Sequence, residues 1–106
     1  MTARKKPRAS SVRETFTPFE VTDYLKTERD MIGYLSACAE EGDPQFFLHA
    51  LGNVAKASGI ANLAEATGMS RMGLYKALSG EGNPTFATVS KIADALGFRF
   101  DVVAKN

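Results

Sequence analysis

Glycine, proline and capping residues cut this chain into short segments, most of which carry the apolar spacing of a short helix. Gly42, Asp43-Pro44, Gly59, Gly68, Asn83-Pro84 and Gly97 recur at intervals of a few helical turns. Glycine accepts the left-handed backbone that ends a helix, aspartate caps exposed N–H groups, and proline at a first helical position loses no hydrogen bond. Thr27, with Asp30 three residues on, signals a capped start, and Met31, Tyr34, Leu35 and Cys38 follow at the spacing of one helical face. Gly42 is expected to end that helix. Asp43-Pro44 opens a second, whose Phe47, Leu48, Leu51, Val54 and Ala55 form a broad apolar face closed by Gly59. Two short helices are predicted at Asn62–Thr67 and Arg71–Leu78, and a fifth at Phe86–Leu96 with Val89, Ile92, Ala93 and Leu96 on one face.

Beyond Gly97, Phe98, Phe100 and Val102 alternate with Arg99 and Asp101, a period of two that predicts a short strand over 98–103. A single strand in a helical chain leaves its backbone groups unpaired. The simplest partner is the same strand of a second copy, giving a twofold homodimer. The alternative is a tail that packs its phenylalanines on its own domain.

With 106 residues there is room for one core. No apolar run is long enough to cross a bilayer, so no membrane association is expected. Residues 1–18 are basic and polar and read as a flexible arm before a domain at 19–106. They lack the apolar stretch of a secretory signal, so a cytoplasmic location is expected. One cysteine and one histidine give no disulfide and no metal-ligand spacing. Cys38 lies on an apolar face and reads as a core thiol; His49 lies within a helix with no acid or nucleophile at a useful spacing, and reads as structural or surface. No catalytic residue, metal or cofactor is expected, and the chain is not expected to be an enzyme.

The net charge of +1 is unevenly spread. Residues 1–22 carry five basic side chains against two acids, 23–58 three against six, and 59–106 five against four. Such polarity fits a protein with one nucleic-acid-facing side and another side for something else. It fits equally a solvated tail beside an ordinary acidic surface.

The stretch from Ile60 to Leu78 has the form of a helix-turn-helix, within a core motif at 60–97. Ala64 supplies a small residue where two helices cross closely, and Gly68 permits the sharp turn. Leu63, Met69, Leu74 and Leu78 close a small core, and Ser70 caps the second helix and is expected among the DNA-binding residues at its start. Arg71, Met72, Gly73, Tyr75 and Lys76 remain on faces that packing does not require. In the major groove, Arg71 is placed to pair with a guanine, and Met72 to touch a thymine methyl. Lys76 would reach a base or phosphate and Tyr75 a phosphate, while Gly73 would allow close approach. Asn83, Thr85 and Thr88 stand where a helix N-terminus can meet a phosphate. The other reading of the motif is a helical hairpin that binds protein.

The order Asp23-Tyr24-Leu25, Glu40-Glu41-Gly42-Asp43-Pro44, Ala50-Leu51-Gly52, Leu63-Ala64, Thr67-Gly68, Gly73-Leu74-Tyr75-Lys76-Ala77-Leu78, Gly82-Asn83-Pro84 and Ala95-Leu96-Gly97 resembles the addiction-module antidote proteins. These are HigA-type antitoxins with a Cro/phage-repressor-like helix-turn-helix domain of the XRE family. The resemblance implies an all-α, five-helix, lambda-repressor-like domain, here with a short C-terminal β-strand. It also implies a partner toxin of the RelE/ParE class and autorepression of the operon encoding both. A homodimer would then bind double-stranded DNA at a palindromic operator, with two recognition helices about one turn apart. The acidic block from Asp23 to Asp43, with Glu28, Glu40 and Glu41, is the surface available to a basic toxin. The basic arm before Phe19 is longer than in the family, and would follow the minor groove or lie free. The rivals are a phage-type repressor without a toxin and an interaction module that no longer binds DNA.

Overall fold

The computed structural model describes residues 23–105, which form five helices and no strand. They are α1 (Glu28–Ala39), α2 (Pro44–Ser58), α3 (Ile60–Thr67), α4 (Arg71–Ala77) and α5 (Phe86–Ala95). The expected arm at 1–18 lies outside the described residues. None of the five helices is long and apolar enough to cross a membrane.

Helix α1 starts at a complete capping box. The Thr27 hydroxyl accepts from the Asp30 N–H at 3.0 Å, and the Asp30 carboxylate accepts from the N–H of Thr27 at 3.0 Å and of Lys26 at 3.2 Å. Backbone donation from Thr27 holds the Asp30 carboxyl below its ordinary value. At the start of α2, the Asp43 carboxylate accepts from the N–H groups of Gln45 and Phe46, with Pro44 in the first turn. Gly59, at φ 109°, ends α2 and starts α3 with no loop between them. The N–H of Leu63 bonds directly to the Gly59 carbonyl at 3.1 Å, so α3 begins at Ile60 rather than Asn62.

Helix α2 is the centre of the domain. It packs on α1 along one side and on α3 along another, and α3 in turn contacts α4 and α5. Leu51 and Val54 of α2, Cys38 of α1, Leu74 of α4 and Ile92 of α5 are fully buried and meet in one core. Each large apolar side chain so enclosed contributes about 1.5–3 kcal/mol. Tyr34 of α1 is buried but keeps a partner, its hydroxyl accepting from the Asn53 amide at 3.1 Å. Burial pushes the Tyr34 phenol up to about 12, and the Asn53 bond offsets this only in part.

The predicted strand at 98–103 is not formed. Gly97, at φ 92°, reverses the chain after α5, and the Phe98 N–H returns to the Ala93 carbonyl at 2.9 Å. That is the hydrogen-bond pattern of a glycine-terminated helix end, and it fixes Phe98 against the core. Phe100 then packs its ring, tilted, against Phe47 and Phe86, with ring centroids 6.1 and 5.7 Å away. Phe98 and Phe100 instead pack back on the domain, Phe100 against α2 and α5, while Val102 and Val103 stay exposed.

Candidate nucleic-acid interface

Helix α4 has only seven residues, which is too short to persist on sequence propensity alone. Three features hold it in place. Thr67 is buried at the end of α3, where its hydroxyl donates to the Leu63 carbonyl at 2.9 Å and accepts from the Met69 N–H at 3.2 Å. Gly68 adopts the left-handed conformation at φ 76°, and its N–H closes α3 on the Ala64 carbonyl at 2.9 Å. The Ser70 hydroxyl then caps α4 by accepting from the Gly73 N–H at 2.9 Å. Leu63, Leu74 and Leu78 are buried and Met69 is packed against them, the small core anticipated for this motif.

The opposite face of α4 is turned outward. Arg71 and Lys76 are exposed, Met72 is 77% exposed and Tyr75 50%. An apolar side chain as open as Met72 contributes nothing to the core, and the four side chains lie on one patch of a helix that contains no acid. Gly73 is half-buried, and the structure gives it a local role. A Cβ there would stand 3.1 Å from the Ser70 hydroxyl, so glycine lets the cap close tightly.

The second group, Asn83, Thr85 and Thr88, gathers at the start of α5. The Thr85 hydroxyl accepts from the Thr88 N–H and donates to the Thr88 hydroxyl, both at 3.1 Å. Asn83 and Thr85 are exposed and Thr88 half-buried. The loop before them is pressed against the end of α4. A Cβ on Gly82 would lie 2.8 Å from the Lys76 carbonyl oxygen, and the Ser79 hydroxyl accepts from the N–H groups of Glu81 and Gly82 at 3.1 and 3.2 Å. Asn83 therefore follows directly on a residue in contact with α4.

Sequence reasoning missed a set of residues beside this patch. His49, Asn53 and Lys56 recur along one face of α2, and they line a cleft with Tyr75 and Ser79. A Cβ on Gly80 would collide with the His49 imidazole, so the loop after α4 rests directly on that ring. The signal was present as a polar stripe at helical spacing on an otherwise apolar helix. Elsewhere the described residues gather no three His, Cys, Asp or Glu side chains that could hold a metal ion.

Comparison with known proteins places the chain in a family. Over 89 residues the chain is 44% identical to an uncharacterized protein of Haemophilus influenzae, covering 84% of this chain and 92% of that protein. No solved structure matches. Residues 15–104 match a family model described as "Probable addiction module antidote protein". By that match and by its likeness to the Haemophilus protein, the chain belongs to the addiction-module antidote family.

Proposed function

We propose that the protein is a DNA-binding antitoxin of a type II toxin–antitoxin module, which represses its own operon and neutralises a toxin of the RelE/ParE class. The observation that carries this reading is the outward face of α4. Arg71, Met72, Tyr75 and Lys76 stand free on a helix whose other face is locked down by Leu74 and Leu78. Such a helix suits the major groove, as the resemblance to HigA-type antitoxins of the XRE family implies. Arg71, in its first turn, is the base-reading residue, and a two-bond contact with guanine is worth about 1–3 kcal/mol of discrimination. Lys76, Tyr75 and the Asn83, Thr85, Thr88 group serve as backbone contacts that set orientation.

The active form is a cytoplasmic homodimer on a palindromic operator. Val102 and Val103, 94% and 79% exposed, give a second copy an apolar edge to cover. The toxin docks on the acidic side, where Glu28 and Glu40 are exposed on and beside α1. No catalytic role is assigned to the chain.

Binding to the DNA upstream of its own coding sequence, compared with a shuffled duplex at two salt concentrations, tests the first half. Specific, salt-sensitive binding that is lost or relaxed in Arg71→Ala is expected; equal binding to both duplexes would defeat it. Charge reversal at Glu28, Glu40 and Glu41 tests the toxin surface by co-purification. Undiminished capture of the toxin would remove that site.

A further inference from the structure

Beside the outward face of α4 lies a cleft in which the donor groups of Lys56, Tyr75, Ser79 and Asn53 stand over a floor that includes Gly52, Ile60 and Leu78. One wall is α2, with His49, Asn53 and Lys56; the other is Tyr75 of α4 and Ser79 just after it. No carboxylate lines it among the described residues. The hydrogen bonds already present sharpen this polarity. Ser79 uses its lone pairs on the Glu81 and Gly82 N–H groups, which leaves its O–H to donate. One N–H of the Asn53 amide goes to the Tyr34 hydroxyl, and the other remains. Lys56 brings a full positive charge, and Tyr75 a hydroxyl on a ring half exposed beside the Arg71 and Met72 patch.

We propose that this cleft between α2 and α4 holds a phosphate of the DNA backbone beside the base pairs that α4 faces. The inference rests on the DNA-binding reading above and adds to it a contact site on α2, outside the helix-turn-helix. A phosphodiester is acceptor-only and carries one negative charge, the complement of the Lys56 ammonium and the neighbouring Ser79 and Tyr75 hydroxyls. Two arrangements prepare the site before DNA arrives. The loop at Gly80 rests on the His49 ring, and Gly52 lets α2 approach α4 so closely that a Cβ there would stand 3.2 Å from the Leu78 carbonyl oxygen. The phosphate would fix the depth and tilt of α4 in the groove and carry no sequence information itself.

The test is the salt dependence of binding, by fluorescence anisotropy, for the upstream duplex and a shuffled duplex of equal length. Lys56→Ala is expected to weaken both by the same factor, leaving their ratio unchanged. Each protomer of the dimer loses one contact, so its affinity should fall less steeply with salt, by about 1.8 in the logarithmic slope, and the loss between 50 and 200 mM shrinks about 12-fold. Lys56→Arg restores the slope, and Lys26→Ala, which removes a lysine outside the cleft, leaves it as in the wild type. Tyr75→Phe weakens binding without changing the slope, because the lost donor is neutral. If the wild type binds specifically and Arg71→Ala does not, yet Lys56→Ala keeps the wild-type slope, the phosphate site is wrong and the DNA-binding reading stands. An equal fall in slope for Lys26→Ala would replace the contact with a diffuse field effect. If the wild type binds neither duplex at any salt, the DNA-binding reading fails and takes the cleft with it.

Discussion

Replacing Leu74 by alanine should show how completely the outward face of α4 depends on the inward one. Leu74 is fully buried, and it is the residue that ties a seven-residue helix to the core formed with Leu51, Val54 and Ile92. Leu→Ala at such a site removes three carbons and leaves a cavity, at a cost of about 2–5 kcal/mol. A domain of this size has roughly 5–10 kcal/mol to lose in total. At about 4–8 °C per kcal/mol, a mid-range loss of about 3 kcal/mol lowers the melting temperature by roughly 12–24 °C. Thermal unfolding followed by far-UV circular dichroism reads this directly. Met72→Ala, two residues earlier and 77% exposed, is the internal control and should change stability by no more than about 0.5 kcal/mol. A Leu74→Ala protein melting within about 3 °C of wild type, or a Met72→Ala protein melting as low as Leu74→Ala, would refute the assignment of the two faces.

Two further outcomes follow from buried geometry. The Tyr34 phenol is pushed up to about 12 by burial, whereas in the unfolded chain it ionises near 10. Its contribution to stability is therefore complete below pH 10 and is lost as the pH rises toward 12. Urea unfolding across that range should show a steeper alkaline decline in wild type than in Tyr34→Phe, and parallel curves would contradict it. Gly82→Ala places a Cβ 2.8 Å from the Lys76 carbonyl oxygen, a backbone atom that cannot swing aside. A destabilisation of about 1–3 kcal/mol in urea unfolding is expected, and an unchanged midpoint would show that the loop does not press on α4 as described.

Helix positions were legible wherever a side chain announced them. Thr27 with Asp30, Asp43 with Pro44 and Ser70 each cap the helix that their chemistry anticipates, whereas Thr85, read only as a phosphate contact, also caps α5. The start of α3 was not legible, because Gly59 launches it through backbone geometry alone and offers no side-chain bond. The tail misled for a different reason. Alternation describes which side chains share a face, but a strand also needs a partner backbone, and Phe98 and Phe100 have α2 and α5 within reach. In the candidate site, the exposure of Arg71, Met72, Tyr75 and Lys76 was readable from helical spacing. The role of Gly73 beside Ser70 was hidden, since a glycine needed for a tight cap looks the same in sequence as one left bare for a ligand. The cleft on α2 was hidden because His49, Asn53 and Lys56 gain their neighbours only when α4 folds back against them.

In the proposed complex two copies of α4 enter successive major grooves of one operator. Hydroxyl-radical footprinting of the wild-type protein on the DNA upstream of its own gene tests this most directly. Two protected patches on one face of the duplex, centred about 10 base pairs apart and both absent with Arg71→Ala, are the predicted result. Uniform or absent protection on that DNA, unchanged by the Arg71 substitution, would contradict the account and leave the outward face of α4 to a protein partner.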